Sequence, residues 1–239
     1  MATRTRRLAV PNDDIEDEMD TTEENEERSV SSRLSGPISD GWGAPKKQLR
    51  KTVKAPYLDI KLGKRIIKIH DVKPFAQFGQ HYVNSANTYY TCGKEWDDDG
   101  ALIVRCPLCD KGHYGSRQFR LNVTDMEKRA EVKTWTFGIT VSKILENFAK
   151  EKKTSPLNRD DMYYHVWRTK PDDGGAWTYT ILPLKARDLE EDEQVKPLTE
   201  DELATQMEEL YNSDTVWIHS MDQLQLAADK LTEKDLKRN

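Results

Sequence analysis

The chain has 239 residues, 36% of them hydrophobic and 33% charged, enough for one domain of ordinary size with polar ends. No run nears the ~18 apolar residues of a membrane span. The start, MATRTRRLAVPNDDIEDE, puts no apolar stretch behind its basic residues, so no secretory signal is expected and the reading places the chain in a cytoplasm. The formal net charge of −5 is unevenly spread: residues 1–43 carry 5 basic and 11 acidic side chains, residues 44–170 carry 25 and 14, and residues 171–239 carry 7 and 17. A basic middle between acidic flanks is the electrostatic footprint of a domain that neutralises a polyanion.

Residues 1–43 are poor in apolar side chains and hold the acidic run from Asp13 to Glu27, so they read as a disordered arm with a small basic tip, TRTRR. From Ala44 the texture changes. KKQLRKTVK is a basic approach segment, and KRIIKIHDV reads as a strand in which Ile67 and Ile69 alternate with charged partners. RQFRLNVTD repeats the pattern, with Phe119, Leu121 and Val123 on one face and Arg120, Asn122 and Thr124 on the other. VSKILENFAKE places Val141, Ile144, Leu145 and Phe148 on one face of a helix. Two further strands, Met162 to Arg168 and Ala176 to Leu182, flank KPDDGG, whose Asp-Gly-Gly makes the tight turn of a hairpin. DLEEDE then reads as an acidic linker. Thr199 and Glu202 form a capping box for a helix through Tyr211 with Leu203, Met207 and Leu210 as its apolar face, and a second short helix runs from about Met221 to Leu231. Short strands interrupted by one helix predict an α+β chain built on a small oligonucleotide-binding β-barrel. Residues 44–188 form this basic core, with a metal subdomain inserted at about 78–116, and residues 189–239 form the acidic linker and closing helices.

Three cysteines, Cys92, Cys106 and Cys109, lie in one short stretch and cannot pair off into a disulfide framework. Cys106-Pro-Leu-Cys109 is a turn in which two thiolates converge on one ion, and Cys92 stands across a loop of thirteen residues. Tetrahedral zinc needs a fourth ligand. His81, eleven positions before Cys92, and His113, four after Cys109, are both spaced to supply it. A fully ligated ion has no open position for water and is therefore structural. No His-x-Glu of a deaminase, Gly-rich phosphate loop, Gly-x-Ser-x-Gly elbow or His-Glu-x-x-His occurs, and Asp97, Asp98 and Asp99 read as a solvated turn rather than a magnesium site. No enzyme is expected.

Binders of single strands combine a cationic groove with aromatic faces on which bases stack. The candidates here are Lys64, Arg65, Tyr89, Tyr90, Arg117, Phe119, Arg120, Lys133, Trp135 and Phe137, with Arg117, Phe119 and Arg120 preferred because they follow the cysteine turn on one strand. A protein-interaction adaptor of the replication or transcription machinery, docking through a zinc ribbon and acidic helices, is the alternative reading.

FAQFGQHYVNSANTYYTC followed by CPLC, then SRQFR, EVKTWTFGITVSKILENF, ELATQMEEL and DQLQLAADKL, resembles in order and motif the single-stranded-DNA-binding protein family of T-even and related tailed bacteriophages. The resemblance covers roughly residues 60–230, with specific motifs around the cysteines and at Phe137-Gly138. It implies His81 as the fourth ligand with Cys92, Cys106 and Cys109. It also implies coating of single-stranded DNA during phage replication, recombination and repair in the cytoplasm of an infected bacterial host, self-association along the DNA, and contacts with replication and recombination proteins through acidic segments. The chain departs from the family at its ends: TRTRR precedes an acidic run, and KDLKRN closes the sequence. Acidic flanks compete with DNA for a basic groove, so deletion of residues 1–43 is expected to tighten oligonucleotide binding in a titration at low salt.

Overall fold

The computed structural model describes residues 54–60, 63–96, 102–170, 172 and 177–236. The expected arm at 1–43, the basic approach through Lys51, Asp97 to Asp99, Ala176 and all of the KPDDGG turn except Lys170 and Asp172 lie outside them.

The strands are β1 (Arg65–Ile69), β2 (Ala76–Val83), β3 (Thr88–Thr91), β4 (Glu95–Trp96), β5 (Leu102–Val104), β6 (Ser116–Asp125), β7 (Lys133–Gly138), β8 (Met162–Thr169) and β9 (Thr178–Lys185). The helices are α1 (Pro107–Asp110), α2 (Ile139–Lys150), α3 (Ala186–Glu193), α4 (Glu200–Glu208), α5 (Met221–Asp229) and α6 (Glu233–Leu236). Seven strands make one antiparallel sheet in the order β3-β2-β6-β1-β8-β9, with β7 also on β6, and β4 pairs with β5 apart from it.

The ten residues of β6 organise this sheet. Along one edge, β1 pairs Ile67 with Asp125 and Ile69 with Val123, and β2 continues with Ala76 opposite Arg120 and Gln80 opposite Ser116. Main-chain bonds from His70 N to Asn122 O (3.1 Å) and from Phe75 N to Arg120 O (3.0 Å) bridge the gap. β7 occupies the other edge, with Phe119 opposite Phe137 and Leu121 opposite Trp135. The α+β class agrees with the sequence reading. Closure into a barrel is not seen, because β3 and β9 stand at opposite ends of the strand path and do not pair.

One face of β6 points into the main core, as its alternation predicts. Phe119, Leu121 and Val123 pack there with Ile67, Ile69, Trp135, Phe137, Tyr164, Val166 and Ile181, and α2 covers them with Val141, Ile144, Leu145 and Phe148. The β8–β9 hairpin forms in register, Thr169 opposite Thr178.

The other face of β6 is polar, and it is buried too. Asn122 Nδ2 donates to Tyr211 O and its Oδ1 accepts from Tyr211 N, both at 2.9 Å, while Asp71 takes the remaining Asn122 N–H groups. Thr124 Oγ1 donates to Gln206 Oε1 (3.0 Å) and therefore accepts from His70 Nε2 (2.8 Å). The C-terminal segment is thus clamped to the sheet by paired polar groups, each of which would be costly to leave unpaired.

Two expectations are corrected here. DLEEDE is no linker: it falls within α3, because Leu189 drops into a cluster with Met126, Tyr163 and Leu198. In α4 the capping box of Thr199 and Glu202 is present, but Met207 is exposed and Gln206 faces the sheet, since the surface awaiting the helix offers Thr124 and the Arg129 carbonyl rather than apolar atoms.

Burial, joined by the charge of Lys68, depresses the His70 imidazole to about 4. Between pH 6.5 and 4 the unfolded chain therefore takes up a proton that the fold refuses, and stability falls as pH falls. His70→Gln is expected to lose on the order of 2 kcal/mol less than the parent chain between pH 7 and 5 in urea unfolding.

Candidate functional site

Four separated points of the chain meet beside β2. His81 lies on the same strand face as Gly79 and Val83, and Cys92 follows β3, its N–H donating to Gly79 O (2.9 Å). Cys106 caps the N-terminus of α1 and Cys109 lies within it, with Pro107 in the first turn where no N–H is required. The turn closes through Gly112 N to Cys109 O (2.9 Å) and His113 N to Leu108 O (3.0 Å), and Gly112 has φ +81°, a conformation that glycine takes without strain.

The ligand atoms of His81, Cys92, Cys106 and Cys109 all lie within 4.8 Å of one another, and all four side chains are buried. His81 Nε2 is 3.6 Å from Cys106 Sγ and 3.7 Å from Cys109 Sγ, and Cys92 Sγ is 3.7 Å from Cys109 Sγ. These four residues can hold a metal ion. Burial works against a charge on His81, but its hydrogen bonds to Cys106 and Cys109 prevail and raise it to about 9. Hydrogen bonds from Cys109 and Cys92 hold the Cys106 thiol far below its usual range, while burial pushes Cys92 up. Charge on the Cys106 sulfur is thereby favoured beside the His81 imidazole.

The contest between the two histidines is resolved by position. His113 Nδ1 lies 3.2 Å from His81 Nδ1, on the imidazole edge turned away from the sulfurs, so His113 orients the ring that points its Nε2 inward.

The expected nucleic-acid residues do not form one surface. Phe119 (2% exposed), Trp135 and Phe137 belong to the main core, stacked or tilted against one another at 4.8–6.0 Å, and present no free face. Lys133 is buried and pairs with Glu131 at 3.5 Å. Arg117 and Phe119 occupy one face of β6 and Arg120 the opposite one, since side chains alternate along a strand, so the preferred trio is divided. Lys64 pairs with Glu193 at 2.9 Å and Arg65 with Glu127, and both sit at the Asp125 end of the sheet, remote from Tyr89. Tyr90 is half-buried against His219. Tyr89 alone of the expected aromatics is well exposed, at 59%, and its ring lies 4.7 Å from that of Tyr82.

Two cavities open instead along the polar face of the sheet. One, of about 570 Å³, is lined by Gln80, Tyr82, Tyr89, Tyr114, Ser116 and Gln118. The other, of about 530 Å³, is lined by Lys54, Tyr57, Arg120, Thr134, Thr215 and Trp217. Ser116, Gln118 and Arg120 are alternate residues of β6, so both cavities share one side of the sheet, with about 7 Å between successive lining positions of the strand. Tyr57 (55% exposed) and Trp217 (59% exposed) flank the second cavity. Arg120 reaches it with Nε on Thr136 Oγ1 (2.8 Å), Nη1 on Thr215 O (2.7 Å) and its guanidinium over the Phe78 ring, and burial lowers it only to about 10, so it is cationic at neutral pH. Neither ring is among the residues expected from the sequence, although Tyr57 was legible, standing right after the basic approach segment. Trp217 was not: TVWIH alternates like a core strand, and only its packing reveals an exposed ring.

No family model, no curated protein and no solved structure matches this chain. Among the described residues, no helix is long and apolar enough to cross a membrane.

Ligand and orienting roles separate by experiment. Cys106→Ser is expected to abolish stoichiometric metal and to lower the thermal midpoint by about 6–12 °C, equivalent to about 3 kcal/mol for a chain of this size. His113→Ala retains one equivalent at roughly 10–100-fold weaker affinity in chelator competition.

Proposed function

We propose that the chain binds single-stranded nucleic acid without sequence preference, and is no enzyme. The observation that carries this reading is the cavity between Tyr57 and Trp217, with Arg120 at its side and Lys54, the end of the basic approach segment, at its rim. Exposed rings offer stacking faces to unpaired bases, and fixed cations meet the phosphates. The tyrosine cavity on the same sheet face extends the path, and the excess of 25 basic over 14 acidic side chains in residues 44–170 supplies the long-range attraction.

Zinc is the proposed ion. Sulfur at about 2.3 Å and nitrogen at about 2.0–2.1 Å from a tetrahedral zinc stand about 3.8 Å (S to S) and about 3.6 Å (S to N) apart. Separations of 3.6–3.7 Å between the sulfurs and the His81 nitrogen fit that figure. With His81, Cys92, Cys106 and Cys109 all bound, no position is open for substrate or water, which supports a structural rather than a catalytic ion.

The family resemblance suggests single-stranded DNA as the substrate and phage replication, recombination and repair as the setting, in an infected bacterial host. Exposed Glu190, Glu191 and Asp192 on α3 are the described acidic residues best placed to meet replication or recombination proteins, and self-association along DNA belongs to the same proposal.

Titration with an oligothymidylate tests the reading. Affinity is expected to fall linearly with salt on logarithmic axes, and Trp217→Ala and Tyr57→Ala each to weaken binding by about 1–3 kcal/mol, whereas Lys64→Ala leaves it unchanged. Absence of binding at low salt overturns it.

A further inference from the structure

Trp217, one wall of the proposed site, is carried by a C-terminal strap whose far end rests on the metal centre. Val216 packs with Ala76 and Phe78, Thr91 Oγ1 donates to Trp217 O (2.6 Å), and Thr91 N donates to His219 Nδ1 (3.1 Å). The chain then enters α5 through a capping box of Ser220 and Gln223. Leu224, Ala227 and Ala228 of α5 are buried in one cluster with Val83, Leu108 and the three cysteines. The approach is close enough that a Cβ on Gly93 would come within 2.6 Å of Leu224 Cδ1 and 3.2 Å of Met221 Sδ.

A second anchor lies at the end of the strap. Asp235 is fully buried and accepts hydrogen bonds from Asn84 N (2.7 Å), Ser85 N (3.3 Å), Thr232 N (2.9 Å) and Thr232 Oγ1 (2.7 Å). Ser85 Oγ also donates to Lys230 O (3.2 Å). The strap is therefore fastened at both ends of the β2–β3 hairpin that supplies His81 and precedes Cys92.

We infer that metal occupancy latches this strap, residues 212–236, and thereby sets the Trp217 wall of the nucleic-acid site. The apolar seat of α5 consists largely of the cysteines and the α1 turn. The four ligand atoms come from separate stretches of the chain and meet within 4.8 Å, so an ion held by all of them is the cross-link that fixes the seat. Losing the ion spreads the seat, frees α5 and loosens the segment that holds Trp217. Coupling of this kind is reciprocal: whatever the ion contributes to the strap, the strap contributes to affinity for the ion. The role assigned to Trp217 rests on the function proposed above; the latch itself does not.

Hydrogen exchange on the full chain reads the latch directly. Chelation of zinc is expected to raise exchange at least tenfold across residues 216–236 while β8 and β9 stay protected. Leu224→Ala and the milder Asp235→Asn replace neither a ligand nor a residue that lines either cavity. Each is expected to retain one zinc equivalent, to weaken zinc affinity about 5- to 20-fold, and to weaken oligothymidylate binding about 5- to 10-fold. Zinc affinity within twofold of the parent chain in both variants, or unchanged exchange over α5 after chelation, overturns the latch. If zinc and strap respond to each other but the parent chain binds no oligonucleotide, the latch stands and the proposed function falls. If the strap loosens and oligonucleotide binding is unmoved, the function stands and the control of its site by the strap is overturned.

Discussion

Convergence of three sulfurs and an imidazole nitrogen within 4.8 Å ties β2, the end of β3 and the α1 turn into one body. Few other forces act here, because this part of the molecule is short of apolar material. Its cluster consists of Val83, Leu108, the cysteines and the three α5 residues, far fewer than the main core holds. A subdomain this small needs a cross-link to be ordered, and an ion held by these four residues would supply one. The hairpin, the seat of α5 and the position of His113 follow from that convergence.

The second constraint is the two-sided burial of β6. One face is sealed by α2 through apolar packing, the other by the C-terminal segment through hydrogen bonds on Asn122, Thr124 and Arg120. Polar burial of this kind contributes modestly to net stability but specifies register strongly, because a shift of one residue would strand several donors and acceptors at once. It also explains why the cavities lie where they do. They are the stretches of the polar face, at Ser116 to Arg120, that the strap crosses without filling.

Charge is arranged on the same plan. Acidic α3 neutralises the Lys64 end of the sheet, where Glu193 meets both Lys64 and His165 at 2.9 Å. Arg120 and Lys54 have no acidic partner in the hydrogen bonds and ion pairs of the described residues. Cationic charge is thus retained beside the Tyr57 and Trp217 rings and offset at the Lys64 end of the sheet.

Local pattern alone determined much of this molecule. The apolar faces of β6 and α2, the β8–β9 hairpin, the Thr199 capping box and the convergence of Cys92, Cys106 and Cys109 were readable, because each depends on residues close together in the chain or on a periodicity that one face must satisfy. Tertiary structure alone decided the rest. Phe119, Trp135 and Phe137 each read more readily as core than as a stacking face and count as stacking candidates only in combination with their basic neighbours; the sheet pairing of β6 with β7 under α2 makes them core. Spacing did not distinguish His81 from His113; the direction in which β2 aims its imidazole does. Burial of the Asn122 face depends on a segment returning from about 90 residues away, the helical state of DLEEDE on Leu189 meeting Met126 and Tyr163, and the exposure of Trp217 on how its segment crosses the sheet, encounters that no local spacing encodes.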